Sequence, residues 1–194
     1  MRPFRQIKFL LRITQTQDIA RRYFVVNGFD GALTMLGIIM GFYISEPANP
    51  SVIVNACMGA AIALGVSGVS SAYVSEQAER RRALGELESA MVTDLQDSAH
   101  AEAVRWVPLF VALVNGLAPL LISLLIIMPL WLSNAGVVLF ISPIYAAIFI
   151  AVSLIFLLGV FLGRISNISW LRSGAQTLVI ALLTMLLIYL FAGA

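Results

Sequence analysis

Residues Trp106–Leu132 read WVPLFVALVNGLAPLLISLLIIMPLWL, without a single Asp, Glu, Lys, Arg or His. The charge-free run does not stop there but continues to Gly163. Crossing the hydrocarbon core of a bilayer takes about 20 apolar residues in a helix, so the run is long enough for two crossings. Pro129, Ser133, Asn134 and Gly136 interrupt it, which separates a span over Trp106–Leu132 from one over about Val138 to Gly163. Working outward gives a further span over about Ser173 to Phe191. Towards the N-terminus lie two more, about Tyr23 to Ile44 and about Val52 to Val74. The whole chain of 194 residues is 60% hydrophobic and 11% charged, with a mean hydropathy of +0.96. An ordinary soluble domain is roughly 45–50% apolar and about 25% charged. These figures exclude a soluble enzyme, a disordered chain and a secreted disulfide scaffold, since the lone Cys57 leaves no intramolecular bridge to form. The expected fold class is an all-α integral membrane protein, with five transmembrane helices and a cytoplasmic helical insertion between helices 2 and 3.

Charge placement predicts the orientation. Six basic residues precede the first span (Arg2, Arg5, Lys8, Arg12, Arg21, Arg22), four lie between the second and third (Arg80, Arg81, Arg82, Arg105), and two lie between the fourth and fifth (Arg164, Arg172). That accounts for all 12. Loops Ser45–Ser51 and Ser133–Gly136 and the tail Ala192–Ala194 carry none. By the positive-inside rule the N-terminus is cytoplasmic and the C-terminus outside, with a prokaryotic plasma membrane as the default location. Phe4, Ile7, Leu10, Leu11 and Ile13 alternate with the basic residues. That pattern suits either a short amphipathic helix on membrane lipid or a solubilising, topology-setting tail. The divisions are therefore residues 1–22 as an N-terminal segment, 23–75 as spans 1 and 2, 76–105 as the insertion, and 106–194 as spans 3 to 5.

Asp30 is the one ionisable side chain inside a span. A carboxylate there costs at least a few kcal/mol, so it is a functional hypothesis by default. Asn27, Asp30, Thr34, Gly37 and Gly41 recur at three- and four-residue spacing and share a helical face. Gly37 and Gly41 form a small-xxx-small pair that admits a close neighbour. In the second span Ser67, Gly68, Ser71, Ala72 and Ser75, with Ser70 beside them, make a matching small and polar face. Carboxylate, hydroxyl and amide oxygens suit a hard cation or a proton; equally, Asp30 bonded to Asn27 and serines would be structural glue. Met35 reads as packing.

The insertion holds seven of the ten acids and the only histidine. Leu84, Leu87, Met91 and Leu95 form an apolar stripe that predicts a helix packed on a neighbour. Thr93-Asp94-Leu95-Gln96 reads as a capping box, hence a break near Val92 and a new helix. On that second helix Asp94, Asp97 and His100, three apart, would point one way. With Glu76, Glu79 and Glu86 they offer candidate ligands for Fe²⁺ or Mn²⁺. The alternative is a solvated face with ion pairs such as Glu76–Arg80 or Glu79–Arg82.

Four stretches together resemble the vacuolar iron transporter family. Arg22–Leu36, with Asn27-Gly-Phe-Asp-Gly-Ala-Leu-Thr34, is similar to its first-span Asp-Gly motif. Ser67–Ser75 is similar to the end of its second span, and Glu76-Gln-Ala-Glu79 with the following arginines to the start of its cytoplasmic metal-binding helices. Leu158–Arg164 through Trp170–Gly174 is similar to its last two spans. The resemblance implies a homodimer with a metal path between the two first spans. It implies exchange of Fe²⁺ or Mn²⁺ for protons, moving metal out of the cytosol, with Asp30 at the transport aspartate. Two positions depart from the family's Ser-Met-x-x-Gly-Glu-Tyr: Gly68 stands at the Met and Ala72 at the Glu.

The function expected is therefore a divalent-metal transporter built on Asp30, Asn27, Thr34, Ser67 and Ser71. The alternative is a membrane scaffold or partner-binding protein that keeps the fold without the chemistry. Neither an enzyme, a resident cofactor nor a nucleic-acid partner is expected. Metal ions and protons would be cargo.

Overall fold

The computed structural model describes residues 16–45, 49–96 and 98–192. The amphipathic pattern of Phe4 to Ile13 lies outside them. Among the described residues the secondary structure is five α-helices and no strand: α1 Thr16–Ile44, α2 Pro50–Met91, α3 Ala99–Asn134, α4 Pro143–Ile165 and α5 Trp170–Ala192. All five are long and apolar enough to cross a membrane.

The charged stretch between the second and third spans is helical but is not a separate helix pair. It is the far end of α2, which runs unbroken for 42 residues, and the near end of α3, which runs for 36. At 1.5 Å per residue α2 is about 63 Å long, roughly twice a hydrocarbon core. Three helices stop in the same way. An amide two or three residues beyond the end of the helix bonds back to the carbonyl five residues before it, around one left-handed residue. The bonds are Thr93 N to Glu88 O, Val137 N to Leu132 O and Ile168 N to Gly163 O, and the left-handed residues are Val92, Gly136 and Asn167. Glycine and asparagine accept that conformation readily, whereas a β-branched valine is strained by it. Two expected boundaries move accordingly. Pro129 sits inside α3, so the break falls at Gly136, and α4 starts at Pro143 rather than Val138. The helix after Val92 starts at Ala99, because Ser98 and not Thr93 caps it: Ser98 Oγ accepts from His100 N at 3.2 Å and Ala101 N at 3.3 Å.

The chain divides into two compact units. In the first, formed by the described residues of 1–24 and Gly65–Leu117, α2 and α3 make an antiparallel hairpin. Its register is fixed at two points. Asn115 Nδ2 donates to Gly68 O at 2.7 Å, and Leu95 N donates to Glu88 Oε1 at 3.1 Å. Ile19 and Tyr23 of α1 pack on Ala103, Val107 and Val111 of α3.

The second unit, Val25–Leu64 with the described residues of 118–194, holds the larger core. Met35, Leu36 and Ile39 of α1 meet Ile53 and Cys57 of α2, Ile126 and Ile127 of α3, Ile155 of α4 and Ala181 of α5. Met35 is fully buried there, as its reading as packing requires. Close helix approach is bought by small residues, as expected where lipid offers no hydrophobic drive between helices. Gly31 of α1 lies on Pro119 of α3, so that a Cβ at residue 31 would stand 2.8 Å from the proline Cα and carbonyl oxygen. Gly159 and Gly163 of α4 receive Thr177 and Ser173 of α5; a Cβ at residue 163 would fall 2.7 Å from Ser173 Cβ.

Candidate functional site

Helix α1 has two unlike sides. Val25, Gly28, Ala32, Met35, Leu36 and Ile39 are buried and lie on one side of a 3.6-residue helix. Asp30 faces the opposite way and is exposed, with Asn27 and Thr34 half-buried beside it. No hydrogen bond or ion pair from a described residue reaches the Asp30 carboxylate. Gly37 and Gly41 continue this side. Gly41 has open space where its Cβ would be, and Gly37 meets only the tip of Ile188 at 3.7 Å. The chain's own packing therefore leaves the small pair unused, in contrast to Gly31. Asp30 thus presents an exposed carboxylate on the side of α1 opposite its buried residues.

The expected face of α2 is divided. Gly68 and Ala72 are buried, in line with Gly65 and Glu76, while Ser67, Ser70, Ser71 and Ser75 are exposed. Gly68 is buried because α2 and α3 nearly touch there. A Cβ at residue 68 would lie 3.0 Å from Gly116 Cα and 3.1 Å from Asn115 O. A Cβ at residue 116 would collide with the Gly65 carbonyl and the Val69 side chain. Glycine at residue 68 thus has a local packing reason. Ser71 Oγ reaches the same Gly68 carbonyl only at 3.5 Å. Ser67 and Ser71 belong to the first unit and Asp30 to the second.

The acids of the α2 extension go to different places. Glu76 is 5% exposed, and the hairpin register sets it level with the apolar Val107 and Pro108. Its ion pair with Arg80, at 3.6 Å, is the one expected from i,i+4 spacing. Glu79 does not pair with Arg82, which reaches forward to Glu86 at 2.9 Å. Glu79, Arg82 and Glu86 line an open groove of about 560 Å³ with Ser75, Ala78 and Ala83. Of the apolar stripe, Leu84, Leu87 and Leu95 are half-buried, and Met91 is exposed.

Asp94 and His100 do not share a helix face. Asp94 is in the connection, its Oδ1 accepting from Gln96 N at 2.9 Å. His100 is exposed in the first turn of α3, and Asp97 lies outside the described residues. The three-residue spacing carried no helical meaning because Ser98, a better-placed cap, starts the helix after these acids. Among the described residues no three His, Cys, Asp or Glu side chains gather where they could hold a metal ion. Two polar residues escaped the sequence reading. Asn115 is visible as a lone amide in an apolar span, but Glu88, which caps the hairpin turn, looks like any solvated acid.

The fold and the placement of its polar residues define an all-helical protein with five helices suited to a membrane. Compared with known proteins, the chain is 29% identical over 194 residues to an uncharacterised protein of Methanocaldococcus jannaschii, covering 98% of this chain and 97% of that one. No protein-family model matches it, and no solved structure does.

Proposed function

We propose that this chain is an integral membrane transporter of a divalent metal ion, Fe²⁺ or Mn²⁺, exchanging metal for protons with Asp30 as the intramembrane site. The observation that carries the reading is the exposed carboxylate of Asp30, paired with none of the described residues, on the uncovered side of α1. In this reading a second copy of the chain covers that side, Gly37 and Gly41 let the two α1 helices approach, and the two Asp30 carboxylates line the path. Asn27 and Thr34 add neutral oxygens suited to a hard cation. The carboxylate takes ion and proton in turn, which couples their opposite movements. Glu79 and Glu86 concentrate cations at the cytoplasmic mouth. The resemblance to vacuolar iron transporters supports the same assignment and the outward direction of transport.

A scaffold without transport is the second reading, and the tight contact at Gly68 favours it. That contact occupies the place where the family carries a metal-binding thioether. Uptake of Fe²⁺ and Mn²⁺ into proteoliposomes under a proton gradient separates the two. Transport is expected from the natural chain and loss of at least tenfold from Asp30→Asn. Undiminished uptake by the variant removes Asp30 from the mechanism. No uptake and no metal binding by the natural chain leaves the scaffold.

A further inference from the structure

The turn between α4 and α5 carries two arginines for which no described residue provides a counter-charge. Arg164 is in the last turn of α4 and Arg172 in the first turn of α5, and both are exposed. They leave the same end of one hairpin, since their neighbours touch: a Cβ at Gly163 would lie 2.7 Å from Ser173 Cβ and 3.2 Å from Trp170 Cα. Neither forms an ion pair with a described residue. Nor is a counter-charge near in sequence, because no Asp or Glu follows Glu102. Around the arginines stand exposed apolar side chains: Ile165 at 42%, Ile168 at 53%, Trp170 at 51% and Leu171 at 58%.

In water the bare apolar surface beside these cations is unfavourable. At a bilayer interface that cost disappears and the cations meet anionic headgroups. Tryptophan settles at the headgroup level and the aliphatic residues below it, while guanidinium groups bind phosphate through paired N–H bonds. The opposite end of the same unit is a useful contrast. There the Tyr43 and Tyr145 rings meet at 5.7 Å, tilted by 60°, and Trp131 is exposed, but the connections 45–51 and 133–142 contain no Lys or Arg. Both ends can meet an interface, and only one is built to hold an anion.

We infer that the α4–α5 turn is a binding surface for acidic phospholipid, with Arg164 and Arg172 gripping headgroup phosphate and Ile165, Ile168, Trp170 and Leu171 seated in the leaflet. The inference rests on the membrane reading of the five helices and is independent of whether the chain carries metal. A positive-inside bias sets orientation during insertion, whereas this surface selects lipid in the finished protein.

The test is native mass spectrometry of the full chain released from nanodiscs of phosphatidylcholine with a minor fraction of phosphatidylglycerol. The natural chain is expected to retain phosphatidylglycerol preferentially. The Arg164→Gln/Arg172→Gln variant should bind it about thirtyfold more weakly, since each interfacial arginine is worth about 1 kcal/mol. Arg164→Lys/Arg172→Lys should keep part of the preference, and Arg81→Gln all of it. Should the glutamine variant lose its helical circular dichroism, the folded lysine variant provides the reading: retention equal to the natural chain's would overturn the role of paired guanidinium contacts. No preference in the natural chain, or an undiminished one in a folded glutamine variant, overturns the proposal. Polyglutamate binding that depends on the same arginines, without lipid enrichment, reassigns the surface to an acidic protein. Recovery of the chain in the soluble fraction after alkaline extraction would overturn the membrane reading itself, and this inference with it.

Discussion

The side-chain amide of Asn115 donates a buried 2.7 Å hydrogen bond to the backbone carbonyl of Gly68, 47 residues earlier in the chain. It joins α2 to α3 at the level where glycines at 65, 68 and 116 bring the two backbones together. Interhelical bonds of this kind contribute about 0.6 to 2 kcal/mol in membrane proteins. Asn115→Ala should therefore cost about 1 kcal/mol. Gly68→Ala should cost more, about 1–3 kcal/mol, because its Cβ meets backbone atoms that cannot turn aside. Thermal loss of helical circular dichroism in detergent gives the order, and an Asn115→Ala effect larger than that of Gly68→Ala contradicts it.

Val92 ends α2 with φ of 49° and is 91% exposed. The left-handed conformation costs a non-glycine residue about 1–2 kcal/mol, and the exposed side chain offsets none of it. Glycine returns part of the gain as unfolded-state entropy. Val92→Gly should stabilise the chain by about 0.5–1 kcal/mol and slow exchange of the Thr93 amide, which hydrogen–deuterium exchange measures directly.

Ser123 in α3 is fully buried and its hydroxyl has no hydrogen-bond partner among the described residues. A buried hydroxyl without a partner costs about 1–3 kcal/mol of desolvation. Ser123→Ala is thus expected to leave the melting temperature unchanged or raise it. A loss above about 1 kcal/mol would show that the oxygen is satisfied from outside the chain.

Gly31 and Gly41 are both glycines of α1, one pressed on Pro119 and the other facing open space. Gly31→Leu should unfold or strongly destabilise the chain. Gly41→Leu should leave the single chain folded and, if two α1 helices meet through this face, convert a dimer to a monomer. Light scattering in detergent reads the mass, and an unaltered dimer with Gly41→Leu places the interface elsewhere.

Five helices and their approximate limits were legible in the sequence because helix formation and bilayer-length hydropathy are local properties. So was the anomaly of Asp30, since a carboxylate among apolar neighbours stands out at any resolution of reading. The i,i+4 pair Glu76–Arg80 followed from spacing alone. Asp94 and His100 of the expected metal triad do not share a helix face, because spacing argues only within a helix and Ser98 starts that helix after Asp94; Asp97 lies outside the described residues.

What tertiary structure decided was which side of each helix faces protein. An apolar span is apolar all round, and lipid is as apolar as a protein core, so periodicity cannot separate the two environments. Gly68, Ser71 and Ala72 look alike in the sequence, yet contact with Asn115 and Gly116 buries the first and Ser71 stays outside. Gly31 and Gly41 are equally indistinguishable until Pro119 is seen against one of them. The sequence determined that a charge stands in the first span. Only the packing of Met35, Leu36 and Ile39 on the other side of α1 decided that this charge is exposed and paired with none of the described residues.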